Sequence, residues 1–153
     1  MKLNLELRNE SRFKHLYRRD VLRELAARVC RGEGLRDRAV EVSVLLCDDA
    51  FIAELNLQYR KKAQPTDVLS FGQDAMRFHG ARVLGDIVIS LETVADRCVG
   101  DRGAMRAEVK LLFCHGLLHL LGAEHGNAKE RKAMTEKQAR YLGIEPEAAW
   151  DCR

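Results

Sequence analysis

No apolar run in this sequence approaches the length of a membrane-spanning helix. The first residues, Met1-Lys2-Leu3-Asn4-Leu5-Glu6, alternate polar and apolar side chains, so the continuous apolar stretch of a signal peptide is missing too. Both absences point to a cytoplasmic protein with no membrane partner. The sequence also lacks a Cys-x-x-Cys pair. Its five cysteines, Cys30, Cys47, Cys98, Cys114 and Cys152, are odd in number and mostly flanked by apolar residues. That pattern fits buried thiols in a reducing compartment better than a disulfide framework. Repeats, low-complexity tracts and linkers are absent, so a single domain over 1–153 is expected. Neither sign of charge dominates. The net charge of +3 is too mild to mark a nucleic-acid binder. Arg18-Arg19 and Arg60-Lys61-Lys62, taken alone, read as solvated surface.

What is present is a soluble, globular composition, 46% apolar and 32% charged, on a chain long enough to bury a core without disulfides. Leu3, Leu5 and Leu7 alternate with polar residues and predict a first strand; Val40, Val42, Val44 and Leu46 predict a second. Val68 to Phe71 and Leu84 to Ser90 read as two more. Asp20 is the expected N-cap of a helix through Leu22, Leu25, Ala26 and Val29, stopped by Gly32 and Gly34. Asp48 and Asp49 are expected to cap a helix carrying Ile52, Leu55 and Tyr59. Pro65 marks the loop that follows. Gly72 to Val83 is largely polar and reads as a loop in which His79 has no assigned role. Further helices are expected over Leu91 to Arg97, Ala104 to Leu121 with a C-cap signal at Gly122, and Ala128 to Leu142 closed by Gly143. Strands come early and helices late. The fold class is therefore α+β, with a small mixed sheet of about four strands and about five flanking helices.

The segment that carries chemistry is His115-Gly116-Leu117-Leu118-His119-Leu120-Leu121-Gly122-Ala123-Glu124-His125. His115 and His119, four apart on a helix, stack on one face. Gly122 allows a turn that returns His125 to the same point. Three of the chain's five histidines thus lie within eleven residues, in or just beyond an apolar run where unpartnered imidazoles would be costly. Three imidazoles with a fourth position left open make a catalytic rather than a structural zinc site. The spacing matches the long zinc-protease motif, glycine included, but that motif needs glutamate after the first histidine as general base. Gly116 stands there instead, so the usual peptidase route is disfavoured.

These residues resemble the signature of the YbeY-type rRNA maturation endoribonucleases, H-G-x-L-H-L-x-G-x-D-H, in which the glycine is the family's own choice. Glu124 is the one departure, standing where aspartate is usual. A carboxylate orienting a ligand imidazole and a solvated turn acid both fit it. Leu55-Asn56-Leu57-Gln58-Tyr59-Arg60 and Pro65-Thr66-Asp67-Val68-Leu69-Ser70-Phe71 resemble a second family block. Leu84-Gly85-Asp86-Ile87-Val88-Ile89-Ser90 resembles a third, and Met134 and Gln138 fall on its M-x-x-x-Q. The tail Trp150-Asp151-Cys152-Arg153 matches nothing usable. The resemblance implies a mixed sheet flanked by helices with a zincin-like three-histidine site. It further implies single-strand-preferring RNA cleavage, maturation of rRNA ends including the 3′ end of 16S rRNA, and a part in ribosome quality control. The small ribosomal subunit and assembly GTPases are its implied partners, and Arg60 takes the position of a functionally important arginine.

The expected metal ligands are His115, His119 and His125, and the expected catalytic residues are Arg60 and His115. Zinc is the expected ion, although imidazoles also suit other divalent metals. It could lower the pKa of a water toward ~7 or polarise a phosphate oxygen. Arg60 is the candidate for gripping the phosphate. Lys61 and Lys62 are candidates for steering the RNA backbone, with simple solvation as the alternative. Thr66, Asp67 and Ser70 are candidate cleft residues, and Asp67 equally suits a turn cap. Asp86 reads as structural, and Cys114 as a core thiol. Met134 suits either an apolar floor under the metal or ordinary core. No side chain stands out as general base. Two other functions remain: a zinc hydrolase of another substrate such as a peptide, and a non-enzymatic ribosome-assembly factor stabilised by zinc.

Overall fold

The computed structural model describes residues 1–73 and 77–149. The tail from Trp150 to Arg153, with Cys152, lies outside the described residues. A mixed sheet of five strands is built from β1 (Lys2–Asn9), β2 (Ala39–Cys47), β3 (Val68–Gly72) and the long β5 (Ala81–Ser90), with the two-residue β4 (Arg77–Phe78) paired to β5 off the main path. That path runs β1-β2-β5-β3. The β1–β2 and β2–β5 pairs are parallel, while β3 runs antiparallel to β5 and forms the sheet's edge.

Alternation decides which face is covered. Leu3 and Leu5 of β1 and Val40, Val42, Val44 and Leu46 of β2 are buried on one face. There they meet α1 (Arg19–Gly32) and α4 (Arg102–Leu120), with α5 (Ala128–Leu142) packed behind. The other face is covered by α2 (Asp49–Arg60), where Cys47, Ile52, Leu69 and Val88 make a second, smaller core. The short α3 (Leu91–Arg97) joins β5 to α4. Among the described residues, no helix is long and apolar enough to cross a membrane.

Several boundaries differ from the sequence expectation. Asp20 lies in the first turn of α1, whose N-cap is Arg18 with no side-chain cap. Gly32 is the last residue of that helix rather than its stop. Asp48 is the N-cap of α2, yet its side chain accepts from the Arg12 amide. The Asp49 carboxylate instead accepts from the hydroxyls of Ser90 and Thr93. The expected loop over Gly72 to Val83 is shorter, because Arg77-Phe78 pairs back onto Ala81-Arg82 across a His79-Gly80 turn. Both turn residues have positive φ (50° and 80°), the geometry a two-residue hairpin requires. A bulge at Leu84 then resets the register between β2 and β5. Gly85, at φ 138°, is held to glycine because a Cβ there would sit 2.1 Å from the Phe71 carbonyl oxygen.

Candidate metal centre

The second half of α4 is buried almost all round, from Leu111 to Leu118, so it can run through the core beside β3 and β5. A helix this close to a sheet needs a small residue at the contact. Gly116 is that residue: a Cβ would meet Ser70 Oγ at 2.9 Å and Ile87 Cγ2 at 3.2 Å. The glutamate of the zinc-protease motif therefore has no room at this position.

His115 and His119 project from α4, and the chain turns at Gly122 (φ 102°) to bring His125 back. The ring centroids lie 4.7 to 5.1 Å apart, and one ligand atom from each ring falls within 4.8 Å of the others. These three residues could hold a metal ion. The two Nε2 atoms of His115 and His119 are 3.2 Å apart. Two nitrogens bound tetrahedrally to one ion at zinc–nitrogen bond lengths would be about 3.3 Å apart.

Protonation supports the same use. Burial pushes the His115 imidazole down to about 4, helped by the charges of His119 and His125 and opposed by a hydrogen bond to Gln138. Burial, then His125, lowers His119 as well. Both rings are neutral near pH 7, the form that binds metal. The tautomer of His115 follows from a chain of contacts. The Gln138 amide nitrogen donates to the Ala149 carbonyl, which turns Gln138 Oε1 toward His115 Nδ1 at 2.8 Å. Nδ1 then carries the proton and Nε2 is the ring nitrogen able to ligate.

The histidines open onto a cleft of about 540 Å³ that also contains Arg60, Thr66, Asp67, Ser70 and Arg97. Arg60, the last residue of α2, is exposed and makes no hydrogen bond or ion pair among the described residues. Its charge reaches His119. Thr66 and Ser70 line the cleft as expected. The Asp67 carboxylate pairs with Arg97 Nη1 at 3.1 Å, and Arg97 also holds Glu108 at 3.1 Å. Lys61 is the left-handed C-cap of α2, and Lys62 is exposed beside it. Glu124 is exposed and acts on His119 through charge alone. Cys114 is fully buried, its thiol pushed by burial up to about 12, and Met134 belongs to the main core. Asp86 lies on the opposite face of the sheet, where it accepts from the Ser43 hydroxyl.

Sequence reasoning named Gln138 without giving it a task. It missed Arg97 altogether, since nothing local in Ala95-Asp96-Arg97-Cys98 announces an ion pair to Asp67.

Comparison with known proteins agrees with this geometry. The family model described as Endoribonuclease YbeY matches residues 5–144. A curated protein of that name from Pelotomaculum thermopropionicum is 43% identical over 128 residues, covering 80% of this chain and 83% of its own. One from Aquifex aeolicus is 43% identical over 122 residues, covering 78% and 79%. The solution structure of TM1509 from Thermotoga maritima superposes with a TM-score of 0.58 at 28% identity, over 95% of this chain and 89% of that one. With its three histidines, its glycine at position 116 and this match over most of its length, the chain belongs to the endoribonuclease YbeY family.

Proposed function

We propose that this protein is a zinc-dependent endoribonuclease that cleaves single-stranded RNA, acting in the cytoplasm on rRNA ends, notably the 3′ end of 16S rRNA, and in ribosome quality control. The observation that carries the reading is one cleft holding three convergent histidines and a guanidinium, Arg60, that is unengaged among the described residues. His115, His119 and His125 would hold the ion. Zinc, when bound, supplies Lewis acidity and acidifies a water enough for attack near neutral pH.

The chain's own side chains do the rest. Arg60 binds phosphate oxygens and opposes the negative charge that grows as the phosphorus is attacked. Gln138 fixes the His115 ring. Ser70 and Thr66 offer hydroxyls along the cleft wall. Asp67, tied to Arg97, serves as a fixed acceptor rather than a mobile base. A peptidase reading lacks its glutamate and the space to accommodate one at Gly116. The small ribosomal subunit and assembly GTPases are the partners that family membership supports.

The test compares zinc-loaded wild type with Arg60→Ala on a single-stranded rRNA fragment, at matched metal content and folding. Cleavage by the wild type alone is the expected result. Equal cleavage by both removes Arg60 from the mechanism. Absence of cleavage by either, across metals and buffers, favours an assembly factor instead.

A further inference from the structure

Two hollows of this molecule adjoin at the end of α2 and at β3. At the end of α2, Arg60 lines the histidine cleft, while the preceding residue, Tyr59, lines a second hollow of about 600 Å³. In β3 the same division recurs: Ser70 faces the cleft and Phe71 faces the second hollow, as strand alternation requires.

The second hollow has an aromatic wall. The Tyr59 ring meets Phe71 edge-on, with centroids 5.0 Å apart and planes at 60°, and Phe51 and Leu55 extend the same wall. Tyr59 is 61% exposed, an unusual position for a large aromatic, and its hydroxyl makes no hydrogen bond among the described residues. Phe71 braces one edge of the ring while most of the side chain stays open. The next three residues on the chain, Arg60, Lys61 and Lys62, are all cationic and exposed. An open aromatic face beside a run of cations is the combination that holds single-stranded nucleic acid, with phosphates on the cations and a base on the ring.

We propose that Tyr59, braced by Phe71, is a base-stacking subsite for the nucleotide adjoining the phosphate held by Arg60. The inference rests on the endoribonuclease reading and deepens it. A base can lie on an exposed ring only when it is unpaired, so this subsite selects single strands over duplex without reading sequence.

The test uses the full chain and a short labelled single-stranded RNA of mixed sequence. Binding is read by fluorescence anisotropy with a chelator present, and KM and kcat are read on zinc-loaded protein. Tyr59→Ala should weaken binding about 10-fold and raise KM with little change in kcat, whereas Tyr59→Phe should bind as the wild type does. Because the side chain is largely exposed, both variants should melt with the wild type. RNAs lacking one base near the cleavage point supply a check that needs no variant. One such position should weaken wild-type binding by the same factor and leave Tyr59→Ala binding unaffected. Undiminished RNA binding and KM in Tyr59→Ala would sink the subsite alone and mark the aromatic wall as a protein contact. Failure of the wild type to bind or cleave any single-stranded RNA would overturn the function and the subsite together.

Discussion

At the residue scale, the most informative side chain after the histidines is Gln138. It is buried, its amide nitrogen is committed to Ala149, and its oxygen is left facing one ring nitrogen of His115. Partners of this kind set the basicity and direction of a metal-ligating imidazole, and their loss typically costs 10- to 100-fold in metal affinity. Gln138→Met, which nearly keeps the volume, should weaken zinc binding by about that factor while the protein stays folded. Competition against a chromophoric chelator reads this directly, and unchanged affinity would show that the contact is packing alone. The clustering of the three histidines was legible in the sequence because local spacing forces them together: two on one helix face and a third just past a glycine. The place of Arg60 beside the histidines was legible only through resemblance. Arg97 was not legible at all, since its pairing with Asp67 exists only once the end of α3 meets the residue just before β3.

At the scale of elements, periodicity served well wherever one face of a strand or helix is buried and the other is not. β1, β2 and α1 came out close to expectation for that reason. The segment from Gly72 to Val83 misled because its polar residues hide a hairpin, and pairing onto a neighbour is invisible to local composition. Asp20 misled because an acid in the first turn and an N-cap look alike in sequence, while the backbone, not the side chain, defines the cap. Gly116 shows why α4 can approach the sheet. Gly116→Ala places a methyl against Ser70 and Ile87 and should destabilise the fold by about 1–3 kcal/mol, the usual cost of overpacking. A lowered Tm in the metal-free protein would register it. An unaltered Tm would mean that Ser70 swings aside at no cost.

At the scale of the whole molecule, one titratable group ties the ends of two helices. Glu33, just past α1, receives hydrogen bonds from Lys137 and Tyr141 of α5 and lies near Arg140. Burial alone would raise its carboxyl, but those hydrogen bonds and the two cations outweigh it and hold the group below its ordinary value of 4.5. The folded state therefore binds this proton less readily than the unfolded one. The stabilisation is fully present above about pH 4.5 and is lost as the pH falls further. Urea denaturation across that range should show wild-type stability dropping more steeply than that of Glu33→Gln. Parallel curves would show that Glu33 contributes no acid sensitivity.

The contact from Ala149 through Gln138 to His115 also bears on the order in which the protein is made. A ribosome delivers all three histidines well before it delivers the carbonyl that sets the proton on the first of them. An incomplete nascent chain thus possesses the three histidines without their final arrangement. The His115 ring reaches its contact with a fixed Gln138 only after Ala149 has been made, so the histidine cluster takes its full arrangement only once synthesis has run past that residue.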